Sequence, residues 1–324
     1  MGTNIPNIFS FATSELSQDA MFAWLLSWSA PEYSAADPEL HRIGENFVRL
    51  LTGKGVDFHV HSIDVGRQWE NIDIWAEIND NTFLIVEDKI GTSIHDDQLA
   101  RYKISVEKEY AGKRTDLCYA YVKTSEEPGS VLNNVKQSGF RTIDRSAILG
   151  CLEDYTGSNS LLTSYREHLM EIDASVNSFR TLPVKEWGWY AWQGFYKELE
   201  TLVDLDSWGY VANPSGGFLG AWWNFIDLQD CTMHLQFEQG KLCFKICYEG
   251  EENRSGVRYK AHSRLMETAK DKYPEIRRPD RFGTGTYMTI AVVDEKNLFG
   301  EGLVNFDALA SKLKVYEALI DECT

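Results

Sequence analysis

NIDIWAEINDNTFLIVEDK, residues 71–89, holds two apolar runs rich in β-branched residues on either side of Asn79-Asp80-Asn81. Asn and Asp tolerate the left-handed backbone that tight turns need, so the stretch predicts a hairpin with strands over 71–78 and 82–89. With 79–81 as the loop, Asp73 stands opposite Glu87, and Asn71 opposite Lys89. Side chains alternate between the two faces of a strand. One face is expected to carry Asn71, Asp73, Trp75, Glu77, Phe83, Ile85, Glu87 and Lys89. The other carries Ile72, Ile74, Ala76, Ile78, Leu84, Val86 and Ile90, with Asp88 as its one charge, read as a strand-end charge facing away.

Directly opposed strand residues hold their Cβ atoms roughly 4.5–5.5 Å apart. Two ionised carboxylates at that range repel, more so where the dielectric is low. A divalent cation relieves the conflict, and Mg²⁺ accepts one or two carboxylates while keeping waters for a substrate. Asp73 and Glu87 are therefore candidate ligands of Mg²⁺ or Mn²⁺. Lys89, on the same face, could position or deprotonate an attacking water. The chemistry expected is metal-assisted phosphodiester hydrolysis, with Asp73, Glu87 and Lys89 as the catalytic set.

Working outward, Ser14 is an N-cap position for a helix to about Trp28 that places Leu16, Ala20, Trp24 and Trp28 on one side. A second helix over 39–51 buries Ile43, Phe47, Leu50 and Leu51 and stops at Gly53. A strand over 56–65 precedes the hairpin. Ser93 and Asp96 form a capping box for a helix to about Tyr110, followed by strands over 117–122 and 140–143 and a helix from Ser146. The fold class is α/β, an αβββαβ core with a mixed sheet flanked by helices over 1–180. Residues 181–324 read as an α+β accessory domain. It has an aromatic helix over 187–196, strands over 220–227, 233–238, 241–248 and 287–293, and helices over 259–272 and from Asp307.

A net charge of −17 argues against holding nucleic acid by bulk attraction. It leaves open an enzyme that meets phosphate through cations. Residues 254–281 reverse the trend, with nine basic side chains against four acids. Arg258, Arg264, Arg277 and Arg278 are candidate nucleic-acid contacts there, the alternative being a solvated helix face with paired charges. The six cysteines form no Cys-x-x-Cys pair and read as reduced thiols. His59 and His61, with Asp57, alternate along the first strand without the further His or Cys of a metal cluster. The opening residues lack the pattern of a signal peptide, and no apolar run is long enough to span a bilayer, so a cytoplasmic protein is expected.

Asp73, thirteen intervening residues, then Glu87-Asp88-Lys89 after the apolar run 83–86 resembles the PD-(D/E)XK nuclease superfamily, with Ile72 where the signature has Pro. Gln98 and Tyr102, four apart on one helix face, reproduce the Gln-x-x-x-Tyr element of its recombination-exonuclease branch. The opening 14–28 is similar to uncharacterised bacterial members often found near defence or mobile elements. The resemblance covers about residues 10–150 and implies a restriction-endonuclease-like core. It implies metal held by Asp73, Glu87, the carbonyl of Asp88 and Glu15 (with Asp19 as competitor for that last place), and substrate steadied by Gln98 and Tyr102. It implies nucleic acid, first of all DNA, as the partner. An inactive member of the fold, used for binding or assembly through the C-terminal half, is the alternative, and an acidic nucleic-acid mimic a third.

Overall fold

A computed structural model describes residues 6–92, 94, 97–113, 115–213 and 216–323. It divides into two compact units, one running to Glu127 and continuing over Val131–Ala174, the other made of Pro128–Ser130 and the chain from Ser175 onward.

The first unit is built on a five-stranded mixed sheet in the order β1(Ile63–Trp69), β2(Ile72–Ile78), β3(Thr82–Lys89), β4(Asp116–Lys123), β5(Arg141–Asp144). The first three strands are antiparallel, while β4 and β5 run parallel to β3 and to each other. The β2–β3 register is the one the hairpin loop dictates, from Ile74↔Val86 to Ile78↔Thr82. Asn79 and Asp80 take positive φ of 54° and 58°, a backbone these short polar side chains accept. Alternation fails at one point: Ile72 packs with Phe83, Ile85, Tyr102 and Tyr121 rather than with Ile74 and Ala76.

Two helices, α1(Glu15–Ser27) and α2(Pro38–Thr52), cover the face of Ile74, Ala76, Leu84 and Val86. The helix α3(Gln98–Glu109) covers the face of Phe83, Ile85 and Tyr121. Capping explains α2: Asp37 accepts from the Leu40 N–H at 3.0 Å, Pro38 opens the first turn, and Gly53 closes the last with φ 73°. Gly44 is where α1 and α2 touch, since a Cβ there would lie 2.7 Å from the Ser29 nitrogen and 2.9 Å from the Leu25 oxygen. The helices α4(Gly129–Gln137), α5(Arg145–Leu152) and α6(Ser160–Asn177) follow.

Several expectations are corrected. Among the described residues no strand forms before Ile63, and Val56 is 81% exposed. Instead Asn79 pins this coil, accepting from the His61 and Ser62 N–H groups and donating to the His59 carbonyl. Edge strand β1 is only half-buried, so its sequence carries little apolar alternation. Helix α1 buries Gln18, Asp19, Met21, Phe22, Leu25 and Leu26, leaving Leu16 59% exposed. It is apolar on most sides, and spacing alone does not select the face that meets the sheet. Ser14 stands at the N-cap, but its hydroxyl pairs with that of Ser17 rather than capping. The capping box of Ser93 and Asp96 lies outside the described residues.

The second unit holds an antiparallel sheet in the order β10-β9-β8-β7-β6, from β6(Leu205–Val211), β7(Phe218–Asp227), β8(Thr232–Glu238), β9(Lys241–Cys247) and β10(Tyr287–Val293). One face packs against α7(Trp189–Leu199), α8(Arg254–Ala269), α9(Glu295–Phe299) and α10(Phe306–Asp321) through Leu235, Phe237, Phe244, Phe195, Leu265 and Tyr316. Strand β6 and helices α4, α6 and α9 were not anticipated, and α8 begins five residues earlier than expected. Among the described residues no helix is long and apolar enough to cross a membrane.

Candidate active site

β3 draws charge into the interior. Every residue of Thr82–Lys89 is buried, Glu87 and Asp88 completely. Burying carboxylates is costly unless they are paired, hydrogen-bonded or protonated, and ion pairs and hydrogen bonds both reach these groups.

On the α3 side, Lys89 Nζ is the meeting point. It contacts Glu87 Oε1, donates to the Asp88 carbonyl at 3.1 Å, and lies 3.9 Å from Asp73 Oδ2 and 3.8 Å from Glu15 Oε2. The other anchors are short and directional. The Asp88 N–H donates to Asp73 Oδ2 at 3.0 Å. Glu15 Oε1 accepts from the Ile90 N–H at 3.3 Å and the Thr92 hydroxyl at 2.5 Å. Gln98 Nε2 donates to Glu87 Oε1 at 2.6 Å and to the Tyr102 hydroxyl at 2.7 Å, which in turn donates to the Asn71 carbonyl. Gln98 and Tyr102 thus touch the carboxylate and the start of β2. Asp73, Glu87, Lys89, Glu15, the Asp88 carbonyl, Gln98 and Tyr102 are brought together.

Asp88 is corrected from a strand-end charge to a sealed group on the α1 side. Gln18 Nε2 donates to Asp88 Oδ1 at 2.7 Å, while Gln18 Oε1 accepts from the hydroxyls of Thr124 and Tyr165. Asp19, the competitor to Glu15 for a ligand place, is 1% exposed. Gln18 and Asp19 had no distinctive spacing in the sequence. Their part follows from the face α1 turns inward.

Burial, helped by Asp73, pushes the Glu87 carboxyl up to about 8 against the opposing pull of Lys89. Burial and Asp73 likewise push Asp19 up to about 7, and burial raises Asp88 well above the carboxylate range. Burial pulls Lys89 down, but Glu87, Asp73 and Glu15 outweigh it and hold the ammonium above its usual value. The pocket thus carries more carboxylates than one ammonium can balance.

Among the described residues no three His, Cys, Asp or Glu side chains form a ready-made metal cage. The donor chemistry nonetheless suits a hard cation that takes one or two carboxylates and keeps its waters. Glu87 Oε2 is buried without a hydrogen-bond partner, one open acceptor in this pocket. His59 and His61 lie in coil. In the second unit Arg277 is held by Asp294 and Asp280, Arg258 and Arg278 lie over the Phe282 ring, and Arg264 lies on the exposed side of α8.

No curated protein and no solved structure matches the chain. The model of a PD-(D/E)XK nuclease superfamily family matches residues 6–178, more than half the chain and all five strands of the first sheet. The chain belongs to the PD-(D/E)XK nuclease superfamily.

Proposed function

We propose that the first unit hydrolyses phosphodiester bonds of nucleic acid, DNA before RNA, with Mg²⁺ or Mn²⁺ bound at the head of β3. The observation that carries this is the convergence of carboxylate oxygens of Asp73, Glu87 and Glu15, and the Asp88 carbonyl, around a single cationic point, now Lys89 Nζ. Those groups would hold the ion, which supplies Lewis acidity and an acidified water when bound. Gln98 fixes Glu87 Oε1, and Tyr102 fixes Gln98 to the β2 backbone. Three carboxylates keep Lys89 charged. It therefore serves as a hydrogen-bond donor that orients water or a phosphate oxygen, in preference to removing a proton.

Purified full-length protein, incubated with labelled single- and double-stranded DNA and RNA in EDTA, Mg²⁺ or Mn²⁺, tests the proposal. Cleavage is expected only with metal and is expected to vanish in Asp73→Ala. Cleavage by Asp73→Ala at the wild-type rate rejects this site, and no cleavage of any substrate by the wild type with metal rejects the activity in favour of an inactive binding module.

A further inference from the structure

One buried charge pair of the first unit takes no part in the chemistry proposed above. The parallel register of β3 and β4 sets Lys123 beside Lys89 and Tyr121 beside Glu87, so all four share one face of the sheet. Lys89 has the carboxylates of the pocket as counter-charges, whereas Lys123 has Glu127. Its Nζ lies 2.8 Å from Glu127 Oε2, and both side chains are buried. The Tyr121 hydroxyl donates to the same oxygen at 3.2 Å. A buried ion pair is often no more stable than apolar side chains of the same volume, because both charges lose their water. The Lys123 ammonium also does what an apolar group could not: it donates to the Thr92 carbonyl.

Thr92 belongs to a short segment after β3 that is tied on two sides. Towards the end of β4, the Lys89 carbonyl accepts from the Thr124 N–H at 3.2 Å, the Ile90 carbonyl from the Ser125 hydroxyl, and the Thr92 carbonyl from Lys123. Towards α1, the Ile90 N–H and the Thr92 hydroxyl converge on Glu15 Oε1, at 3.3 and 2.5 Å. Glu15 Oε2 is left near the pocket, 3.8 Å from Lys89 Nζ. Asp73, Glu87 and Asp88 lie on the hairpin, whose register places them. Glu15 comes from a helix, and no strand pairing sets its side chain. Its two bonds to residues 90–92 do so.

We infer that Thr92 is a positioning residue for the metal ligand Glu15, and that the Lys123–Glu127 pair, with Ser125, holds residues 90–92 in place for that task. The inference rests on the reading of Glu15 as a ligand given above.

The test is calorimetric titration of the full chain with Mn²⁺, run beside the cleavage assay. Thr92 is exposed, and Thr92→Val removes its hydroxyl. It is expected to weaken Mn²⁺ binding about tenfold, the lower end for loss of a ligand's hydrogen-bond partner. Thr92→Ser keeps the hydroxyl and is expected to bind as the wild type does. In a Glu15→Gln background, Thr92→Val is expected to change nothing further, a coupling that general loosening of the fold would not give. Lys123→Met/Glu127→Gln removes both buried charges together and leaves Tyr121 an acceptor; it is expected to weaken Mn²⁺ binding with the same dependence on Glu15. Ser125→Ala, which removes only the bond to the Ile90 carbonyl, supplies this readout if the double variant melts without cooperativity. Mn²⁺ binding absent from the wild type, or unchanged in Glu15→Gln, overturns the metal reading and this inference with it. Binding weakened by Glu15→Gln but untouched by Thr92→Val, or an equal effect of Thr92→Val in both backgrounds, overturns this inference alone.

Discussion

Lys89→Met keeps the length of the side chain and deletes its charge, so it asks what the ammonium does among the carboxylates. Glu15 and Asp73 lie 3.8 and 3.9 Å from Nζ, where each attraction is about 4 kcal/mol at an effective dielectric of about 20. Desolvation of the ammonium offsets part of this, and Glu87 can retain a proton once Lys89 is gone. The net loss is therefore expected near the lower end for a broken buried pair, about 3 kcal/mol. For a unit of this size that lowers Tm by about 6–12 °C in EDTA. A divalent cation that binds only the folded state restores stability by mass action. Mn²⁺ is expected to raise Tm more in Lys89→Met than in the wild type, because the carboxylates have lost their internal counter-charge, while cleavage stays absent. Thermal melts of both proteins with EDTA and with Mn²⁺ supply the measurement. A variant that melts at the wild-type temperature in EDTA, or gains no more from Mn²⁺, refutes the reasoning.

Glu87 has a folded-state pKa of about 8 against an ordinary 4.5, so between those values the ion-free folded chain holds more protons than the unfolded one. Stability in EDTA is then expected to fall as pH rises through that window, and Mn²⁺ affinity to rise by up to about tenfold per pH unit before levelling above about 8; denaturant melts and calorimetric titration at pH 6 to 8 check both. Gln98→Ala leaves Glu87 Oε1 with Lys89 alone, and Tyr102→Phe cuts the link to the Asn71 carbonyl. Each is expected to lower metal affinity or turnover about 10–100-fold, read from rates across a Mn²⁺ titration, and wild-type rates would show that the pair is structural. Gly44→Ala forces a methyl against the backbone of Ser29 and Leu25 and is expected to cost about 1–3 kcal/mol in a thermal melt.

The hairpin was legible because its information is local. Loop length sets register, and period-two alternation sets the faces, so the convergence of Asp73, Glu87 and Lys89 could be read from residues 71–89 before any contact was known. The helix spacing of Gln98 and Tyr102 is local in the same way. The strand before the hairpin was misplaced because an edge strand buries too little to impose alternation on its sequence. Strand β6, with Asp206 and Ser207 among its residues, escaped for a similar reason.

The sequence by itself determined which residues could carry the chemistry, since side-chain alternation and turn length are properties of neighbouring positions along one chain. Tertiary structure decided which of them are sealed in. Whether Asp19 and Asp88 are solvated or buried, which side of α1 supplies Gln18, and that Arg277 is taken up by Asp294 depend on residues far away in the chain. Those partners are brought near only by packing, and burial is what turns an ordinary carboxylate into one that resists ionisation.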